Sequence, residues 1–494
     1  MKKTFIRLLS LALCIVMMAA MFISCAKEEE ESDSKKGNGT DKGVKSVLGF
    51  EEQDYEGKQF NVLVNNSYDL TERDFYIADP GADNLSKVIY ERNVACEDYL
   101  GITLNYIREP GAYDSGLPNK IKIQVDAGAC EYDMIAMALN TGISGGYIDI
   151  YNNVMQMKYI NLEHEWWVQD TIEQCSINEQ LYFLAGDACL STYSNIGCIL
   201  ANLTVGENEN LGVDLYETVR NGEWTIDEMI RLAKLVGSDL DGDGLQNPGS
   251  ETYGWCMHNV LVRLMWSSCG IDLIVREPAG NFVLRDSLDQ RILDFVEKLK
   301  NAFDDPHTNY VSDDDPAIDD FVKDRAYLMS TYLGIAEKLK AHNIDSPFAI
   351  LPMPKYDMAQ EDYISTNFPF HNALFFPGTA EAPALCGMVA EFMGWQGKEI
   401  VVPEYYDVSL KYKKSDVTAN IEMLDLIRDK LRITPNESYG VISVEGIGAV
   451  MGWTQLTTYT ASGDRFYATP ESFWKKNSAQ VAQKINDYVL QYYK

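Results

Sequence analysis

Residues 222–244 read GEWTIDEMIRLAKLVGSDLDGDG. Thr225 can cap a helix, and Glu228 stands three positions on, the spacing of a capping box. Trp224 and Met229 occupy the two positions of a hydrophobic staple. Met229, Leu232, Ala233 and Val236 then recur at i, i+3, i+4 and i+7, which is one apolar helix face. Gly237 ends the helix. The following DLDGDG places Asp239, Asp241 and Asp243 at loop positions 1, 3 and 5 and Gly244 at position 6, as in a calcium-binding loop. Position 12 would be Ser250, and Glu251 comes one residue late. The loop is therefore either a structural Ca2+ site or a solvated acidic turn whose glycines supply positive φ. No other cofactor is called for.

Upstream of this helix, the chain alternates. KQFNVLV (58–64) is a short apolar strand. Residues 85–100 read as a helix with Leu85, Val88, Ile89 and Arg92 on one face and Gly101 as its stop. Residues 102–107 alternate as a strand, 117–127 form a second helix, and 132–139 are a strongly apolar buried strand. Strand-helix-strand-helix-strand at this spacing predicts a parallel sheet with helices on its faces, hence an α/β fold. A second region begins near Trp166. The acidic, proline-containing stretches at 304–306 and 313–316 read as loops. Residues 321–339 read as helix or strand-helix, and 479–493 as a surface helix.

The N-terminus has a compartment signature. Lys2, Lys3 and Arg7 precede an uncharged run, 8–24, too short for a membrane span and right for the apolar core of a secretory signal. Phe22-Ile23-Ser24-Cys25 resembles a bacterial lipobox, with Phe where Leu is usual. Cys25 is then the lipidated residue, 1–24 the signal peptide and 25–54 a polar tether unable to bury apolar area. The expected location is the outer face of the cytoplasmic membrane, with membrane contact through the lipid only. The chain has 494 residues, 46% of them hydrophobic, and a formal charge of −32. That is ample for two α/β lobes over 55–494. Removing the signal removes cations and no acids. So acidic a surface repels phosphate backbones, which argues against a nucleic-acid partner. Of ten cysteines, Cys14 leaves with the signal and Cys25 takes lipid. The remaining eight include no CxxC pair and sit mostly among apolar neighbours, as small buried hydrophobes do.

Several segments together resemble the extracellular solute-binding proteins of ABC importers, in their carbohydrate-type branch. The 222–244 stretch followed by Thr252-Tyr253-Gly254 is similar to that family's W-T-x-[DE]-[DE] helix and D-x-D-G-D-G loop. EWWVQD (165–170) resembles P-W-W-D-Q, with Glu165 and Val168 departing from it. FAILPMPKY (348–356) resembles F-G-I-L-P-x-P-K. PEYYD (403–407) and IEMLD (421–425) match a later part of the same group. The resemblance runs from about residue 60 to 430. It implies a two-lobed periplasmic-binding-protein-like (type II) fold with a ligand cleft between the lobes. Lobe 1 would hold about 55–165 and 345–425; lobe 2 would hold about 166–344 and part of 426–494. It also implies a monomer that captures a carbohydrate, expected to be an oligosaccharide, for ABC permease subunits. The lipid on Cys25 would keep it beside them.

A sugar ring packs its C–H face on an aromatic ring, and its hydroxyls need donors and acceptors. The residues at strand ends that suit this are Asn140, Asp187, Tyr193, Asn195, Trp255, Trp266, Tyr332 and Trp453. Trp166 and Trp167 suit packing near the lobe crossover better than ligand contact. Enzyme readings have weaker support. Gly142-Ile143-Ser144-Gly145-Gly146 fits G-x-S-x-G after a strand, yet it equally describes a flexible loop, and none of the five histidines carries a partner signature. His164-Glu165 fails as a zinc motif because position 168 is Val. Acid pairs for glycoside hydrolysis are too numerous in this composition to select. The rival readings are a surface polysaccharide-degrading enzyme and a binding protein for peptides or another solute.

Overall fold

In the computed structural model the described residues are 41–111, 116–144, 147–238, 251–258, 261–277, 280–311, 314–342, 344–368, 370–406, 417–439, 443–444, 448–449 and 469–493. The signal, Cys25, the DLDGDG loop and Trp453 lie outside them. Within the stretch expected to be tether, Asp41–Leu48 is helical.

The first sheet is the predicted one. Its strand order is Asn372–Phe375, Met134–Ala138, Lys58–Asn65, Ile102–Glu109. Lys58–Asn65 pairs in parallel with both Ile102–Glu109 and Met134–Ala138, and Asn372–Phe375 closes one edge antiparallel. All of Met134–Ala138 is buried, as its unbroken apolar run requires. The crossover helix Asn84–Leu100 starts on Asp83, whose carboxylate accepts from Ser86 N–H at 2.7 Å. It ends at Gly101, whose φ of 60° only glycine adopts without strain. A Cβ there would also lie 2.7 Å from Asp54.

The second sheet runs Phe348–Pro352, Gly197–Asn202, Ala326–Tyr332, Thr252–His258, Gly237–Ser238, with Thr308–Val311 also on Thr252–His258. It is mixed. Gly197–Asn202 is antiparallel to both its neighbours, whereas Thr252–His258 is parallel to Ala326–Tyr332 and Thr308–Val311. The 222–244 helix packs here over Ile226–Ala233. Thr225 Oγ1 accepts from Glu228 N–H at 3.3 Å, and Trp224 and Met229 are buried. The reciprocal half of the capping box is replaced. Glu228 turns to Arg231 at 2.7 Å, and Thr225 N–H donates to Glu223 O. The helix stops at Ala233, and Val236 is buried beyond it in a turn.

Two boundaries differ from the sequence reading. Phe348–Pro352 belongs to the second sheet, so the return to lobe 1 comes after residue 352 rather than near 345. Helix Val417–Asp429 stays with that strand: Asn420 accepts from Ile350 N–H at 2.8 Å and donates to Phe348 O at 3.2 Å. Nor is 313–316 all loop. Asp314–Val322 is a helix whose first turn accommodates Pro316, because the N–H that proline lacks has no helical acceptor there. The eight cysteines of the described residues are not linked to one another by disulfides, and all but the half-buried Cys130 are buried.

The chain passes from one sheet to the other through 187–196 and back through 353–371. These crossings are fastened to lobe 1 by polar groups with no access to water. Asp74 accepts from Ser191 N–H at 2.7 Å, from Ser191 Oγ at 2.6 Å and from Asn372 Nδ2 at 2.8 Å. Asn65 donates to Asn372 Oδ1 at 3.0 Å. Arg92, wholly buried, donates to Ala188 O at 3.0 Å, to Asp74 O and to Asn93 Oδ1.

Candidate functional site

The ends of both sheets meet the crossing segments at one group of side chains. Tyr332 ends its strand half-exposed, and its ring lies parallel to that of Phe368, with centroids 6.4 Å apart and planes at 10°. Phe370 meets Phe368 edge-on at 4.6 Å. Arg263, half-exposed, holds its guanidinium 5.3 Å from the Phe368 ring. Asn195 O accepts from Phe368 N–H at 2.9 Å, and residues 196 and 367 form a bridge. On the lobe 1 side, Leu139 N–H donates to His371 O at 2.9 Å. The half-exposed Asn140 therefore starts its short helix, Leu139–Ser144, beside the same crossing. The result is aromatic faces, two amides and a guanidinium drawn from both lobes: apolar platforms with a few orienting polar groups, suited to a polar ligand with apolar faces.

Three of the residues chosen from sequence fall here: Asn140, Asn195 and Tyr332. Asn195 is mostly buried, and its amide donates to Ser191 O at 3.0 Å. Asp187 and Tyr193 lie beside the crossing, but they are spent on each other, the Tyr193 hydroxyl donating to the Asp187 carboxylate. Both are buried, so Asp187 is not placed to accept from a ligand. Trp255 is corrected outright. Its strand is interior to the second sheet, and the ring is 0% exposed. Its N–H donates to Ser330 Oγ at 2.8 Å, and the ring packs on Phe303. Trp266 likewise faces inward from helix Val262–Ser268 and meets Phe295 edge-on at 5.1 Å.

Arg263, Phe368 and Phe370 were missed. Phe368 and Phe370 flank a proline in the sequence, but no local pattern shows which strand end they will face. Gly142 of the G-x-S-x-G stretch has a packing role: a Cβ there would lie 2.2 Å from the Phe375 ring. Trp166 and Trp167 pack at the crossover as expected. Their indole N–H groups donate to the two oxygens of buried Glu391, at 3.1 and 3.0 Å.

Burial shifts three groups around the site. It raises Asp187 to about 7 against the pull of the Tyr193 hydroxyl, and raises Asp74 to about 7 against its Ser191 and Asn372 donors. It lowers His371 to about 4. Between about pH 7 and 4 the two folded carboxylates hold protons that the unfolded chain has lost. Each therefore adds stability as pH falls through 7, by about 1.4 kcal/mol per pH unit. His371 acts oppositely. Below about pH 6.5 the unfolded imidazole takes a proton that the folded one refuses, so stability is lost as pH falls from there. The two carboxylates outweigh the one imidazole, so urea midpoints are expected to rise as pH falls from 8 to 4.5, with His371 holding the rise to about half of what the carboxylates alone would give. Asp187→Asn should reduce the rise, and His371→Gln should steepen it below about pH 6.5. Parallel profiles for wild type and variants would refute these assignments.

No family model and no curated protein matches the sequence. Solved structures do match the fold. The galacto-N-biose/lacto-N-biose I-binding protein of a Bifidobacterium longum ABC transporter, in complex with lacto-N-biose, superposes with a TM-score of 0.57 at 10% identity, over 88% of this chain and 98% of that one. A cyclo/maltodextrin-binding protein complexed with maltotetraose gives 0.55 at 14% identity, over 87% and 99%. The GacH receptor of Streptomyces glaucescens, solved unliganded and with acarbose, gives 0.52 at 11% identity, over 88% and 99%. With its two sheets, its crossing segments and near-complete coverage of these neighbours, this chain has the two-lobed α/β fold of the sugar-binding ABC solute-binding proteins.

Proposed function

We propose that this protein binds a carbohydrate, an oligosaccharide in particular, between its lobes and delivers it to the permease of an ABC importer. The observation that carries this reading is the Tyr332–Phe368–Arg263 group with Asn140 and Asn195, drawn from both lobes of a fold whose solved neighbours hold sugars. Capture needs binding and lobe closure alone: the ligand favours whichever arrangement gives it contacts with both lobes. No bond of the ligand is broken, so the ligand is recovered intact. Tyr332→Ala removes one aromatic face without disturbing the core. It is expected to weaken oligosaccharide binding about tenfold or more, equivalent to at least about 1.4 kcal/mol. Calorimetric titration of both forms checks this, and equal affinities would move the site elsewhere.

The same reading includes a lipid on Cys25 that holds the protein at the outer face of the cytoplasmic membrane beside its permease, where tethering raises its local concentration. Fatty-acid labelling that persists in Cys25→Ser would refute the anchor. It also includes a structural Ca2+ held by Asp239, Asp241 and Asp243. The wholly buried Glu251 just after that loop is consistent with a further oxygen ligand. Chelation by EDTA should then lower the melting temperature and calcium restore it; an unchanged melting temperature would argue for a solvated turn.

A further inference from the structure

In the group around Tyr332, lobe 1 contributes an amide, Asn140, and the aromatic faces come from lobe 2 and the crossing. In an open sheet of parallel strands the ligand crevice lies outside the carboxyl ends of the strands. Here those ends belong to Lys58–Asn65, Ile102–Glu109 and Met134–Ala138. Asn140 lies just beyond the last of them. Just beyond the first lies Tyr68, with 42% of its surface exposed.

The chain bends immediately after that strand. Asn65 Oδ1 accepts from Ser67 N–H at 3.1 Å and from Gly111 N–H at 3.0 Å, an Asx turn that also ties the end of this strand to the end of its neighbour. Tyr68 then precedes the short helix Asp69–Glu72. Its carbonyl accepts from Thr71 N–H at 3.2 Å, Glu72 N–H at 3.0 Å and Thr71 Oγ1 at 2.9 Å. Thr71 O in turn accepts from Asn372 Nδ2 at 2.9 Å. These bonds hold the backbone at Tyr68 without using its ring.

The same helix lies against lobe 2 beside Tyr332. A Cβ at Gly334 would lie 2.5 Å from Leu70 Cδ1 and 3.4 Å from Tyr332 Cε2. Leu70 and the Tyr332 ring therefore flank one glycine, and Tyr68 stands one turn-residue before Asp69 and Leu70 on the strand-end side. Tyr90, also exposed, lies instead on helix Asn84–Leu100.

We infer that Tyr68 is the lobe 1 platform of the site, that it and Tyr332 cover opposite faces of one sugar ring, and that the ligand is a β-linked oligosaccharide of gluco- or xylo-configured rings. This rests on the carbohydrate reading above. In such a ring every hydroxyl and both linkage oxygens are equatorial, so only C–H bonds point above and below its plane. Each face can then pack on an aromatic ring. An axial oxygen, at C2 of a manno ring, C4 of a galacto ring or the linkage of an α-glucan, stands upright on one face. Between two aromatic faces a hydroxyl placed so loses water and gains no partner, and an axial linkage holds the platform off.

Calorimetric titration of the chain from Ala26 onward with tetrasaccharides of equal length tests this. Cellotetraose and xylotetraose, both β-1,4-linked, are set against β-1,4-mannotetraose, β-1,4-galactotetraose and maltotetraose. The better of the first two is expected to bind about tenfold or more tightly than any of the other three. Tyr68→Ala should weaken that binding about tenfold. Tyr68→Phe should keep it, because the ring face and not the hydroxyl makes the contact. Tyr90→Ala is the control expected to bind as wild type, and equal urea midpoints show that each variant is folded. Equal affinities across the panel, or preference for a sugar with an axial oxygen, overturn the inference and leave the carbohydrate reading standing. So does wild-type affinity in Tyr68→Ala. Binding of none of the five overturns both.

Discussion

Replacing Glu391 by leucine is expected to destabilise the folded chain by about 3–5 kcal/mol, read as a lower urea midpoint. The carboxylate is fully buried on helix Pro383–Gln396 and serves four donors. Trp166 and Trp167 give their indole N–H groups at 3.1 and 3.0 Å. His164 Nδ1 lies at 2.7 Å and Asn161 N–H at 2.8 Å. His164 Nε2 faces Asn161 Nδ2 at 3.0 Å, so a neutral ring protonated at Nδ1 satisfies both neighbours. Leucine fills most of the volume and accepts nothing, which strands two buried indole N–H groups and removes the acceptor of two half-buried donors. Glutamine keeps one acceptor but turns its NH2 toward N–H donors, so Glu391→Gln should cost less, about 1–3 kcal/mol. If Glu391→Leu unfolds at the wild-type midpoint, the buried carboxylate is not what fastens 158–168 to this helix.

The second large effect is expected at Arg92. Its guanidinium is 0% exposed, packs 5.1 Å from the Phe75 ring and donates to Ala188 O, Asp74 O and Asn93 Oδ1. Arg92→Met preserves the stem and much of the packing but leaves two carbonyls and an amide oxygen without that donor. It also removes a positive charge that favours the ionised Asp74 carboxylate, already pushed up to about 7 by burial. A loss of about 3–5 kcal/mol follows, of the size seen when one partner of a buried charged network is removed. Because Ala188 and Ser191 lie on the crossing, hydrogen exchange should quicken over 187–196 before the rest of lobe 1 responds. A uniform change across both lobes would show that Arg92 supports the core generally and not the crossing.

Arg92 also shows where the sequence was legible and where it was not. Its place on the inward face of helix Asn84–Leu100 follows from spacing to Leu85 and Ile89, and so does the parallel order of the first three strands. Period, cap residues and a stopping glycine are local signals. Two of the three partners of Arg92 lie 18 and 96 residues away, and those of Glu391 about 230. No periodicity encodes such distances. The same limit explains the site. Tyr332 and Asn195 were legible as polar or aromatic residues at strand ends, whereas Phe368 and Arg263 become site residues only when the return crossing is laid beside residue 196. Trp255 was misread because its turn-like neighbour Gly254 belongs to a strand. A Cβ at Gly254 would strike Ala233 O at 1.7 Å, so this glycine marks close packing of helix on sheet and not an exposed bend. The lobe boundary at 345 failed for a related reason: an apolar segment before a Pro-x-Pro reads as a strand, but nothing in it says which sheet it joins.

The most direct test of the account is a thermal-shift screen of the chain from Ala26 onward against mono-, di- and oligosaccharides and short peptides, with each positive followed by recovery of the ligand. The account predicts that an oligosaccharide raises the melting temperature, with about 2.7 kcal/mol of added stability at 100 times its dissociation constant, and that it is recovered uncleaved at one equivalent per chain. Cleavage of the sugar, or stabilisation by peptides alone, would contradict it.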